Sequence, residues 1–135
     1  MKGVPLLIDA FDRLPIRSAE LTLVGGSGTR GMRQFLERAL QRDPRIRVAP
    51  GDPLPHLQRA DVFVHPSYQD GFAYAVAEAI ACGVPVIVTE DTGAKGLVVE
   101  GVNGWVVPTG DVESIRARLI GLAGATRSKA AACAS

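Results

Sequence analysis

Short apolar runs alternate with amphipathic runs along almost the whole chain. The runs Glu20–Gly25, Arg45–Ala49, Asp61–His65, Pro85–Thr89 and Gly104–Val107 are nearly continuous in Val, Ile, Leu or Phe. A strand reads this way when both faces of its sheet are covered, which predicts a parallel arrangement. Between the runs the apolar positions fall at helical spacing: Val4, Leu7, Ile8 and Phe11, then Met32, Phe35, Leu36, Ala39 and Leu40. Pro53–Ala60 predicts a short helix, and Phe72–Cys82 and Val112–Leu122 longer ones, with Asp111 available as an N-cap. This alternation is the signature of βαβ units and an α/β fold.

The two ends depart from the pattern. The first residues already read as a helix, so the strand that would feed it is expected to be missing. Ala123–Ser135 is small and polar without an apolar period, and is expected to fray, leaving 1–122 as the folded domain. A parallel sheet binds its ligand outside the carboxyl ends of its strands. That rule selects the loops after Gly25, Ala49, His65, Thr89 and Val107.

Composition narrows the function classes. With 135 residues the chain has material for one core, and 47% hydrophobic with 21% charged residues argues against disorder. A net charge of +1 gives no reason to expect a nucleic-acid partner. No apolar stretch is long enough to cross a bilayer, and the N-terminus does not read as a signal peptide, so a cytoplasmic location is expected. Cys82 and Cys133 suggest neither a disulfide framework nor a zinc site, and Cys82 is expected to be a small buried packer. His56 and His65 lack a metal-ligand pattern, although His65 ends a strand on the ligand edge. Ser67 belongs to no Gly-x-Ser-x-Gly elbow. Gly25-Gly26-Ser27-Gly28 does not fit the dinucleotide fingerprint and reads as a turn bordering the cleft.

The chemistry is concentrated between His65 and Pro85. A strand ends at His65, a loop follows, and a helix is expected to open near Gly71. The first N–H groups of such a helix have no partners within it, and its dipole is positive there, so the terminus suits a phosphate or diphosphate. Gly71 would let the backbone approach closely. Asp70 precedes this terminus and Glu78 lies eight residues on, a helical rise of roughly 12 Å. Each carboxylate can accept hydrogen bonds from a diol. Taken singly, an acid at a helix start is usually a cap and a mid-helix Glu a solvated residue. Taken as a pair around a Gly-containing helix start at a strand's carboxyl end, they read as a site. Glu78 also lies off the Phe72, Val76, Ile80 stripe, so it need not enter the apolar core.

The segment Asp70-Gly71-Phe72, Glu78-Ala79, Ala81-Cys82-Gly83 and Pro85-Val86-Ile87 resembles the donor-site motif of the retaining, family 4-type glycosyltransferases with the GT-B fold. The resemblance runs on through Thr89, Gly93, Gly101-Val102-Asn103-Gly104-Trp105 and Asp111. Upstream it takes in Lys2-Gly3 and the glycine loop Leu21–Gly28, so that nearly all of the chain to Leu122 is covered. It implies a Rossmann-like parallel sheet flanked by helices, one half of a GT-B fold. The function implied is transfer of a sugar from a nucleoside-diphosphate sugar to an acceptor with retention of configuration.

Carried over residue by residue, the resemblance makes Glu78 the ribose ligand and puts Asp70 on hydroxyls of the transferred sugar. The backbone around Gly71, Phe72 and Ala73 would meet sugar and diphosphate. Gly25 and Gly26 would border the nucleotide, and the Ala49–Pro53 stretch would flank the base. Lys2 would offset charge growing on the leaving diphosphate. No metal or other cofactor is implied, because a helix dipole and basic groups replace it. The implied partners are the nucleotide sugar and an N-terminal acceptor domain, through which alone a membrane would be met. Three departures stand out. Asp70 replaces the usual Glu, Gly93-Ala94 and Gly96 stand where the family often has a Gly pair and then a Glu, and the acceptor half is not in the sequence. A non-catalytic nucleotide-sugar-binding fragment is therefore the alternative expectation.

Overall fold

The computed structural model describes residues 4–12, 20–24, 30–49, 54–65, 74–91, 93–125 and 130–133. The helices are α1 (Val4–Asp12), α2 (Arg30–Arg42), α3 (Leu54–Leu57), α4 (Tyr74–Ala81) and α5 (Val112–Ala125). The strands are β1 (Leu21–Val24), β2 (Ile46–Ala49), β3 (Phe63–His65), β4 (Val86–Thr89), β5 (Gly104–Val107) and β6 (Ala130–Cys133). A 3₁₀ turn covers Gly93–Leu97.

The strands form one sheet of six in the order β2-β1-β6-β3-β4-β5. Every pairing is parallel, so all the strands end on one edge. From β1 the sheet grows outward to β2, and from β3 it grows the other way to β4 and β5, so its direction of growth reverses at β6.

Strand alternation distributes the core between the two faces. Leu21, Leu23, Val64, Ile87 and Val107 face a cluster completed by Leu7, Ile8 and Phe11 of α1, Ala39 of α2, and Ile115 and Leu119 of α5. Phe63, Val86 and Val88 face the opposite cluster, completed by Leu57 of α3 and by Val76 and Ala79 of α4. Helices on both faces explain why the strands read as continuous apolar runs. The fold is thus the expected Rossmann-like parallel sheet.

Local signals explain the element ends. Asp111 caps α5: its carboxylate accepts from the Ser114 backbone N–H at 3.1 Å and from the Ser114 hydroxyl at 2.8 Å. These bonds hold its pKa below the ordinary aspartate value. Helix α4 ends in a Schellman arrangement. The Val84 N–H donates to the Ala79 carbonyl and the Gly83 N–H to that of Ile80, both at 3.0 Å. Gly83 takes φ of 77°, the left-handed conformation this closure requires. Asn103 ties the turn before β5, accepting from Val99 N–H at 2.7 Å and donating to the Leu97 carbonyl at 3.0 Å.

Three expectations are corrected. The tail does not fray from residue 123: Ala123–Ala125 continue α5, and Ala130–Cys133 enter the sheet as β6. An empty slot between β1 and β3 would leave two interior rows of backbone donors and acceptors without partners, and β6 supplies them. The position where a strand was expected to be missing is thereby filled from the other end of the chain. Cys82 is exposed rather than buried, because it lies four residues after Glu78 on the solvent side of α4. The Pro53–Ala60 helix shortens to Leu54–Leu57, with Gln58 and Arg59 in a turn.

Candidate functional site

The carboxyl edge of the sheet is marked by Val24, Ala49, His65, Thr89, Val107 and Cys133. Gly25 and Gly26 follow Val24 in sequence, and Asp70, Gly71, Phe72 and Ala73 fall between β3 and α4. These six residues and Lys2 lie outside the described residues, as do 50–53 of the stretch expected to flank the base. Of the expected site residues, Glu78 is the one within them.

Helix α4 leaves the carboxyl edge and runs back over β3 and β4, as a crossover between neighbouring parallel strands must. Tyr74 is its first residue, so Glu78 stands about 6 Å of helical rise from that end. Val76 and Ala79 turn fully into the core, and Glu78, between them, is exposed. The helical period that buries the two apolar residues therefore leaves this carboxylate open to solvent.

At the carboxyl edge the strand ends become polar. His65 and Thr89, the last residues of β3 and β4, are both buried. The His65 ring lies nearly parallel to that of Phe63, 11° apart with centroids 6.4 Å from each other, on the face that α4 covers. The neighbouring loop exposes Glu90 and Asp91, and the Glu90 N–H donates to the Val107 carbonyl at 3.0 Å. Thr109, in the loop after β5, has a buried hydroxyl oxygen that finds no hydrogen-bond partner among the described residues. Where the family often has a Glu, the 3₁₀ turn carries an exposed Lys95 and Gly96.

A second polar cluster lies at the start of β2, on the opposite edge from the site. The Arg45 guanidinium bonds both oxygens of buried Asp43, at 2.8 and 3.0 Å, and sits 4.5 Å from the centroid of Phe11. The Arg45 hydrogen bond leads the causes that hold the Asp43 pKa below its ordinary value. Arg42 pairs with Asp12 nearby. This knot joins α1, the end of α2 and β2, and is structural.

A doubly wound parallel sheet with helices on both faces defines a Rossmann-like α/β domain. The comparisons say which one. Residues 1–124 match the family model described as glycosyl transferases group 1, and the chain belongs to that family. It is 33% identical over 128 residues to O-antigen chain mannosyltransferase B of Escherichia coli, covering 88% of this chain and 33% of that protein. It is 32% identical over 115 residues to a D-inositol 3-phosphate glycosyltransferase of Xylanimonas cellulosilytica, covering 79% of this chain and 27% of that one. Among solved structures it resembles Anabaena HepE in complex with UDP-glucose, with a TM-score of 0.79 and 27% identity over 90% of this chain and 35% of that one. The chain thus spans about a third of the length of such relatives. Its fold is that of the C-terminal domain of a GT-B glycosyltransferase.

Proposed function

We propose that this chain is the donor-binding part of a glycosyltransferase that moves a sugar from a nucleoside-diphosphate sugar to an acceptor with retention of configuration. The observation that carries the reading is the likeness to HepE, whose structure holds UDP-glucose, over 90% of this chain. Relatives acting in O-antigen, capsule and colanic acid assembly point toward polysaccharide biosynthesis. In this reading the exposed Glu78 carboxylate accepts hydrogen bonds from the ribose hydroxyls, and Asp70 holds hydroxyls of the transferred sugar near its reacting carbon. Amides around Gly71, Phe72 and Ala73 meet the diphosphate. Gly25 and Gly26 border the nucleotide, and Lys2 offsets charge on the departing diphosphate. No metal is assigned a role. An acceptor domain supplies the other wall of the cleft, and this part alone binds the donor without turning it over.

Titration calorimetry against a panel of nucleoside diphosphates and their sugars tests the assignment. One nucleoside diphosphate is expected to bind, and Glu78→Ala to weaken it by roughly 10- to 150-fold, the equivalent of ~1.5–3 kcal/mol for a hydrogen bond to a charged group. Unchanged affinity removes Glu78 from the site. Asp70→Ala is expected to weaken the sugar-bearing donor more than the free nucleotide, and equal losses contradict its role. Sugar transfer is then assayed on this chain with and without an acceptor domain. Turnover by the chain alone would refute the division of labour.

A further inference from the structure

The centre of the sheet has an unsuitable occupant. In a doubly wound sheet, the strand at the point of reversal leads through a helix to its neighbour. Here the reversal falls at β6, between β1 and β3. The helix that enters β1 is α1, whose Leu7, Ile8 and Phe11 pack on the same face as Leu21 and Leu23. A right-handed crossover through α1 would start from a strand beside β1 on the side away from β2. That position is the one β6 holds, with Ala130–Cys133 aligned against Leu21–Val24, and Ala131 and Ala132 against Phe63 and Val64.

Every other strand of the sheet contains Val, Ile, Leu or Phe, whereas this one reads Ala-Ala-Ala-Cys. Alanine is depleted in strands because it brings little side chain to pack against its neighbours. A more apolar strand offered to the same slot makes the same backbone hydrogen bonds and buries more carbon, so it wins the competition.

We infer that Ala130–Cys133 is a replaceable closing strand, one that an apolar strand joined to the amino side of α1 expels from the sheet. Strands β1 and β3 flank the slot, and their carboxyl ends lead into the Gly25–Gly26 and Asp70–Ala73 stretches. Whatever fills the slot therefore stands between the two strands from which the proposed donor loops leave. That last consequence rests on the proposed function, while the exchange of strands does not.

Hydrogen exchange of the whole chain, without nucleotide, is the first test. The amides of 130–133 are expected to exchange on the order of 100-fold or more slower than an unstructured peptide. Exchange at the unstructured rate overturns the proposal. The second test fuses a Val- and Ile-rich strand and a short linker ahead of Met1. Protection is expected to move from 130–133 to the added strand, with β1 and β3 still protected and Tm raised. Continued protection of the tail beside a freely exchanging added strand overturns it. Ala132→Pro, which removes an amide donor inside β6, is expected to lower Tm in the original chain and to leave the fusion unaffected. Equal losses in both contradict the exchange. These readouts need no ligand, so an error in the donor assignment leaves them intact.

Discussion

Glu78 and Asp43 are both acids close to apolar neighbours, and their surroundings set them to different tasks. Glu78 lies on the open side of a helix whose other side is core. Asp43 is 8% exposed and held by Arg45, where its charge is matched at short range. The Asp43 pKa is depressed in the folded protein, so the native state binds its proton more weakly than the unfolded state does. The resulting stabilisation is fully present above the ordinary aspartate pKa and disappears as pH falls through the depressed one. Asp43→Asn is expected to cost about 1–3 kcal/mol at pH 7, since Arg45 loses its counter-charge. In urea denaturation at a series of pH values, the gap between variant and parent should close below about pH 4. A gap unchanged down to pH 2 would remove the ion pair as its cause.

At the scale of elements, β5 depends on a side chain that is not there. A Cβ on Gly104 would fall onto the Val86 carbonyl oxygen and against Val86 Cγ2, its partner in β4. Gly104→Ala must therefore push the edge strand away, and a loss of about 2–3 kcal/mol is expected by denaturant unfolding. Gly121→Ala in α5 is the control: the added methyl meets nothing within 4 Å, and helix propensity favours it. A similar loss at both positions would show that the β4–β5 approach is not the cause. The resemblance to the family motif included Gly104 without saying why. The answer is close backbone contact across a strand pair, far in sequence from Gly104 itself. The Asp111 cap was legible in advance, because a capping side chain and its helix are neighbours along the chain.

At the scale of the molecule, the parallel sheet gathers loops from distant parts of the sequence onto one edge. The helix carrying Glu78 starts from the same edge, the one at which an open α/β sheet takes its ligand. The chain spans about a third of the length of such relatives, and in the proposed function that third is the donor wall of a two-walled cleft. The slot that β6 fills separates β1 from β3, the strands followed in sequence by Gly25–Gly26 and by the segment that holds Asp70.

The order of elements up to α5, the burial of β3 and β4 on both faces, the cap at Asp111 and the position of Glu78 off the buried stripe followed from the sequence alone. Each is written in short-range periodicity: near-continuous Val and Ile for a covered strand, and spacing of three to four residues for a helix. The fate of Ala130–Cys133, the exposure of Cys82, the Asp43–Arg45–Phe11 knot and the contact that forbids a side chain at Gly104 were decided only in three dimensions. These depend on which strand lies beside which, and on which backbone groups would otherwise lack a partner. Four small residues have no period to announce a strand. They became one because the middle of a parallel sheet cannot leave its hydrogen bonds unmade.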